Sequence, residues 1–215
     1  MKIGILISGR GSNMVALIDA VQGGEIPHSE VAVVLSDRPN VPGLARAQER
    51  GVETVVIERH GRTREKHDRE IVEELTKTGV ELVCLAGYMR LLSKDFLRAF
   101  ENRIVNIHPS LLPAFPGLDA QKQAIDHGVK ISGCTVHFVD EDLDNGAIFL
   151  QKAVEVRDYD TGESLSARIL EHEHKLYVEA VKRIAVGDFE FVGRKVIFAR
   201  EARRTKVNFS SIDKL

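Results

Sequence analysis

The stretch Ile104-Val105-Asn106-Ile107-His108-Pro109 sets a carboxamide and an imidazole two positions apart inside an apolar run. Side chains alternate faces along a strand, so Asn106 and His108 project from the same side. Polar groups buried in a strand cost free energy unless they find partners or do chemistry. Pro109 lacks an N–H and ends the strand, which puts His108 at its carboxyl end. Asparagine offers a neutral donor to a developing oxyanion, and histidine exchanges protons near neutral pH. A lone histidine is usually structural; the pair on one face points to catalysis.

Such an imidazole needs an orienting acid, and Val139-Asp140-Glu141-Asp142-Leu143-Asp144-Asn145-Gly146 supplies several. Asp140, Asp142 and Asp144 have calcium-loop spacing, but Asn145 stands where that loop requires glycine and Gln151 where it requires glutamate. Turn chemistry between two strands accounts for Asp144-Asn145-Gly146 by itself. A second candidate is Ser8-Gly9-Arg10-Gly11-Ser12-Asn13, between an apolar strand and a helix. Glycines let backbone N–H groups converge, and a helix N-terminus adds partial positive charge; together they bind phosphate. The P-loop Gly-Lys-Ser/Thr is absent, and Met14 replaces the third glycine of the dinucleotide fingerprint. Two readings stay open here: a nucleotide site with Asp37 as its ribose-binding acid, and a plain glycine turn capped by Ser12 or Asn13.

The remaining reactive side chains carry less. His172 and His174 flank Glu173 on a helix and, two apart, cannot both ligate one metal. His60, His67 and His127 lie in polar surroundings, and Arg62 to Glu70 reads as a solvated helix face. Cys84 and Cys134 sit in apolar runs, as reduced core residues without metal-ligand spacing. No metal is expected.

These groups need a frame. Ile3 to Ile7, Val31 to Leu35, Thr54 to Ile57, Leu82 to Ala86 and Ile104 to Ile107 are too continuously apolar for one-sided exposure, as buried parallel strands are. Met14, Leu17, Ile18 and Val21 mark one face of a helix between the first two. Thr63 to Thr78 predicts another, with Ile71, Val72 and Leu75 inward and Gly79 as its stop. Strand-helix alternation implies a doubly wound, mostly parallel α/β sheet with helices on both faces, whose ligands bind outside the strands' carboxyl ends. Beyond a Pro/Gly-rich loop, Pro109 to Gly117, the pattern predicts a helix over Ala120 to His127 and strands over Gly133 to Val139 and Ala147 to Val154. A long helix, about Ser164 to Ala185, carries Leu165, Ile169, Leu176 and Ala180 on its stripe. Phe189 to Phe198 reads as a hairpin turning at Gly193-Arg194, and the polar, basic Ala202 to Leu215 as a loosely ordered tail.

The chain has 215 residues, 43% hydrophobic and 29% charged, with a formal net charge of −2. That size suits one α/β domain with a core large enough to dispense with disulfides or metals. The charge balance argues against a general nucleic-acid binder, so an anionic ligand must be held by local geometry. The apolar start turns to Ser8-Gly9-Arg10-Gly11 too early for a signal peptide, and no run reaches the length of a membrane span. A cytoplasmic protein acting on small molecules, as a monomer or homodimer without nucleic acid or membrane, is expected.

Four segments together resemble the phosphoribosylglycinamide formyltransferase family: Ile7 to Asn13, Leu85-Ala86-Gly87-Tyr88-Met89-Arg90, Asn106 to Pro113, and Gly133-Cys134-Thr135-Val136-His137-Phe138-Val139-Asp140. The likeness runs from about Met1 to Ala185 in order and spacing. It implies transfer of a formyl group from 10-formyltetrahydrofolate to the amine of 5-phosphoribosylglycinamide, a step of purine biosynthesis. It further implies that Gly11, Ser12 and Asn13 hold the 5′-phosphate and Glu173 the ribose. The folate would lie along Met89, Arg90, Leu91 and Leu92 and against Asn106, Asp140 and Asp144, with Arg64 near its tail. Asn106, His108 and Asp144 match the catalytic trio. Asp119 departs from the family, which often has histidine there. The implied division is a formyltransferase domain over 1–188, with a nucleotide-binding half to about 100 and a folate-binding, catalytic half beyond, then a hairpin and tail over 189–215. Related formyl enzymes would add a C-terminal tRNA-binding or N-terminal regulatory domain, and neither is expected here. A non-catalytic nucleotide-binding module is the other alternative.

Overall fold

The computed structural model describes residues 1–198; the tail expected over 199–215 lies outside them. The first half alternates β1 (Lys2–Ile7), α1 (Ser12–Gln22), β2 (Glu30–Ser36), α2 (Pro42–Gln48), β3 (Thr54–Val56), α3 (Arg64–Lys77), β4 (Leu82–Leu85), α4 (Lys94–Ala99) and β5 (Ile104–His108). Then follow α5 (Ala120–Asp126), β6 (Ile131–Phe138), β7 (Ile148–Glu155), α6 (Gly162–Val186) and the hairpin β8 (Phe189–Val192) and β9 (Lys195–Phe198). Strands β3-β2-β1-β4-β5-β6-β7 form one sheet. The first five run parallel; β6 pairs antiparallel with β5, and β7 antiparallel with β6. This is the doubly wound, mostly parallel sheet the alternation implies. Strand order reverses between β1 and β4, so the ends of these strands open the crevice where such sheets bind ligands.

Alternation along each strand feeds two cores. Ile3, Ile5, Ile7, Cys84, Val105 and Ile107 pack with α1 and α6 residues on one face. Leu6, Val83, Leu85 and Ile104 pack with Ile71, Leu75 and Phe96 of α3 and α4 on the other. By parity, Asn106 and His108 continue the face of Ile104, and Thr135 and His137 lie opposite them on β6. The apolar core stops there, and polar side chains take its place.

The structure corrects four readings. Helices α2 and α4, each under two turns, had no sequence assignment. On α6 Leu165, Ile169 and Ala180 are buried as expected, but Glu173 and Tyr177 share their stripe and Leu176 is only half-buried. His67 and Asp68 are fully buried on α3, not solvated: the His67 ring meets the Ile57 carbonyl at 2.7 Å and Asp68 accepts Ser93 N–H at 2.6 Å. Asp37, offered as a ribose-binding acid, has a completely buried carboxylate with Arg59 at 3.7 Å. Among the described residues, no helix is long and apolar enough to cross a membrane.

Candidate active site

Register brings the polar residues together. Antiparallel pairing sets Asn106 opposite His137 and His108 opposite Thr135, close enough for opposed side chains to touch. The His137 Nδ1 faces the Phe138 carbonyl at 3.0 Å and therefore carries the ring proton. Its Nε2 then accepts an amide N–H of Asn106 at 3.2 Å. Burial lowers the His137 pKa below the usual imidazole value, opposed by the Phe138 hydrogen bond and by Asp144. The buried ring is thus a neutral acceptor. An amide carries two N–H groups, so Asn106 keeps one for a ligand.

Asp144 completes the cluster. Its Oδ2 stands 3.3 Å from His108 Nδ1 and its Oδ1 3.7 Å from His137 Nε2. Oδ2 also accepts the Gly117 N–H at 2.8 Å. Because β6 runs antiparallel, Phe138 pairs with Val105 and the 140–146 loop leaves the sheet away from the end of β5. It folds back to deliver its carboxylate to His108. The other His108 nitrogen, Nε2, donates to the Phe115 carbonyl at 2.9 Å. The 109–117 loop that supplies this acceptor is anchored from β6: Thr135 Oγ1 donates to the Ser110 carbonyl at 2.7 Å and accepts Leu112 N–H at 3.1 Å. His137 and Thr135 join this cluster, although the sequence did not single them out. Their signal was present, as two polar residues at strand period in an otherwise apolar run.

At the end of β1 the glycine turn is closely packed. A Cβ on Gly11, at φ 69°, would lie 3.0 Å from the Gly43 Cα, and one on Gly43 would meet the Ile7 side chain at 2.5 Å. Ser12 and Asn13 therefore open α1 with their backbone N–H groups unused by the helix. The Asn13 amide donates to Glu173 Oε2 at 2.7 Å, although the two residues are 160 positions apart. Burial raises the Glu173 pKa above the usual carboxyl range, and the Asn13 hydrogen bond opposes this. A buried acid in an apolar stripe, next to a helix N-terminus, is a candidate for ligand binding.

Met89 to Leu92 follow β4, tied at both ends: Met89 N–H donates to Ser8 Oγ at 3.0 Å, and Ser93 N–H to Asp68. Between the ties Met89 and Leu91 are exposed, Arg90 and Leu92 half-buried. Exposed apolar side chains beside a polar cluster suit a flat, partly apolar ligand. Leu118 and Leu143 are exposed on the neighbouring loops, and Gly117 packs near Leu143. Arg64 opens α3 half-exposed, 3.5 Å from Glu65. Asp140 is exposed and accepts Asp142 N–H at 3.1 Å. Asp119 is exposed at φ 56° before α5, with no capping bond from its side chain.

The model of the family described as "Formyl transferase" matches residues 1–181. The trifunctional purine biosynthetic protein adenosine-3 of Drosophila melanogaster is 46% identical over 188 residues, 86% of this chain but only 14% of that protein. Phosphoribosylglycinamide formyltransferase of Bacillus subtilis strain 168 is 40% identical over 184 residues, covering 85% of this chain and 94% of the relative. The crystal structure of glycinamide ribonucleotide transformylase 1 from Symbiobacterium toebii superposes with a TM-score of 0.90 at 51% identity, over 92% of this chain and 93% of that one. On the family match and these identities, the chain belongs to the formyl transferase family.

Proposed function

We propose that the protein transfers the formyl group of 10-formyltetrahydrofolate to the amine of 5-phosphoribosylglycinamide. One observation carries the reading: Asn106, His108, His137 and Asp144 form a single polar cluster, with Asn106 hydrogen-bonded to His137 and the Asp144 carboxylate 3.3 and 3.7 Å from the two imidazoles, beside the crevice where β1 and β4 end. Gly11, Ser12 and Asn13 would hold the phosphate on the free N–H groups of α1, and Glu173 a ribose hydroxyl. Met89 to Leu92, Asp140 and the exposed leucines would receive the folate, with Arg64 toward its anionic tail. These residues fit the co-substrate: an apolar wall lies beside polar groups aimed at one spot. The bound folate supplies an electrophilic formyl carbon.

As the amine adds to that carbon, negative charge grows on the formyl oxygen. The free Asn106 N–H and His108 Nε2–H would stabilise it. For this His108 must exchange the Phe115 carbonyl for the substrate, a change confined to the 109–117 loop. A carbon–nitrogen bond forms to the amine, the bond to the folate nitrogen breaks, and one proton passes from the first nitrogen to the second. His108 would carry it, directly or through water, with Asp144 orienting the ring. Holding two reactants side by side supplies much of the acceleration. The same residues account for the division of labour: phosphate and ribose at the α1 and α6 end, formyl transfer at the β5 and β6 end.

A spectrophotometric assay with both substrates tests the activity. The wild type turns over, and His108→Ala or Asp144→Asn loses about a thousandfold in kcat while still binding both substrates. Near-normal rates in both variants would remove the assignment. A protein without saturable folate binding would be a nucleotide-binding module instead.

A further inference from the structure

Asp144 has a left-handed backbone, φ 50°, which residues other than glycine adopt at a cost and hold only when neighbours fix it. Its loop offers little packing, since Asp140 to Leu143 are exposed. Inside the loop, Asp142 N–H donates to Asp140, and the Asn145 amide donates to Asp142 Oδ2 at 3.2 Å. Glu141 pairs with Lys94, but both are exposed and such pairs hold little. Gly146 seats the loop's end where a Cβ would lie 1.8 Å from the Phe138 carbonyl. From outside the loop, Gly117 N–H holds the Asp144 carboxylate itself at 2.8 Å, and the backbone next to Asp144 is gripped by Arg194. Its Nη2 donates to the Asn145 carbonyl and, at 3.1 Å, to Asn145 Oδ1.

Arg194 can pull on the loop because its own support is firm. It sits at the turn between β8 and β9, beyond residue 181 where the family match ends. Phenylalanine rings fasten this hairpin to the strands on either side of the loop. Phe191 lies 4.8 Å from Phe138 of β6, and Phe189 and Phe198 lie 5.1 and 5.2 Å from Phe149 of β7. Such ring pairs attract beyond the area they bury. The hairpin is therefore registered on the same two strands that launch and receive the catalytic loop, and a planar guanidinium bridges the gap.

We infer that Arg194 is a positioning residue for formyl transfer: the hairpin is a strut that holds Asp144 against His108 by gripping Asn145. This rests on the activity proposed above and on the role of Asp144 in it. The test compares wild type, Arg194→Ala and Arg194→Lys in the full chain, with kcat and both KM values measured by formyl transfer and Tm measured separately. Loss of the grip lowers kcat about tenfold, as small misplacements near chemistry do. KM for the ribonucleotide stays unchanged, because Asn13 and Glu173 lie elsewhere, and Tm moves little because the guanidinium is exposed. Lysine, a charged donor on a shorter reach without the planar guanidinium, recovers part of kcat. Asn145→Ala costs less kcat in the Arg194→Ala background than in wild type, because the Arg194 contact to Asn145 Oδ1 is already gone. Wild-type kcat in Arg194→Ala overturns the strut while leaving the activity standing. So does a loss that appears equally in ribonucleotide KM and Tm and is not relieved by lysine. A wild type without formyl transfer overturns the activity itself, and the strut with it.

Discussion

The two ends of the crevice are built differently. At the α1 end the polar groups belong to regular elements: Asn13 in the first turn of α1 and Glu173 in the middle of α6, joined at 2.7 Å and buried. At the β5 end only Asn106, His108, Thr135 and His137 are on strands. The carbonyl and the carboxylate that meet His108 come from loops, and those loops hold non-glycine residues at positive φ, Phe115, Asp119 and Asp144. Helix and strand geometry fixes the first set before a ligand arrives. The second depends on a few polar ties carried by loops, the bond from His108 to Phe115 among them. On the proposed function, the end that would grip a phosphate has the rigid frame, and the end that would pass a proton has groups able to change partners.

The largest effect that would sharpen this contrast is expected at His137, where strand and loop meet. Truncation to alanine frees the Asn106 amide and removes a neighbour of Asp144, so kcat falls about a hundredfold at saturating substrate. Glutamine, whose amide oxygen can accept the same N–H, retains more activity. The buried ring also leaves a mark on stability. Its pKa is lowered in the fold, chiefly by burial, so below about pH 6.5 the unfolded chain takes up a proton that the folded one resists. Stability from this group is present above that pH and lost as pH falls. His137→Gln therefore flattens the acid side of a Tm-against-pH curve. A kcat within threefold of wild type in both variants would break the comparison, because the amide would then be held by something other than the strand.

A smaller effect is expected at the rigid end. Glu173→Gln keeps the shape and the link to Asn13 but gives up a charged acceptor, so KM for the ribonucleotide rises about tenfold while kcat holds. Burial raises the Glu173 pKa, so the folded chain keeps this proton more tightly than the unfolded one. Its contribution to stability is full at acid pH and lost as pH rises through the folded value. Removing the ionisable group lifts Tm by a few degrees at pH 8 and hardly at all at pH 4. A fall in kcat with unchanged KM would mean that the two ends are not separate.

The same contrast decides what could be read from sequence. Strands β1, β2 and β4 announce themselves because burial on both faces gives them a continuous apolar run, and α6 because its stripe runs for many turns. Helices α2 and α4 are too short to show a period. Asn106 and His108 stood out as polar residues on one strand face. His137 was harder, since its meaning depends on a pairing register that only the fold supplies. His67 and Asp68 misled because α3 is charged overall, and nothing local says which charged positions turn inward to tie down Ser93. Glu173 interrupts an apolar stripe, and the family resemblance, not periodicity, pointed to it. Loop residues such as Asp144 were candidates by type; which carboxylate reaches the imidazole is settled by how the loop folds back.

The smallest effect is expected at Asp119, where this chain departs from the histidine its family often carries. Its side chain is exposed, caps nothing, and sits at φ 56° on the approach to α5. Were it part of the proton path, it would need to lie within hydrogen-bond reach of His108 or Asp144, and the partners of those two groups are Phe115 and Gly117 instead. Asp119→Ala should change kcat and both KM values by less than about threefold, the range of a surface substitution away from the chemistry. Asp119→Gly should keep activity too, and relieve the positive φ at the cost of a more flexible unfolded chain, so its Tm shifts only slightly. A tenfold loss in the alanine variant would place Asp119 among the reacting groups. It would also show that the loop-built end closes further around substrate than its present ties require.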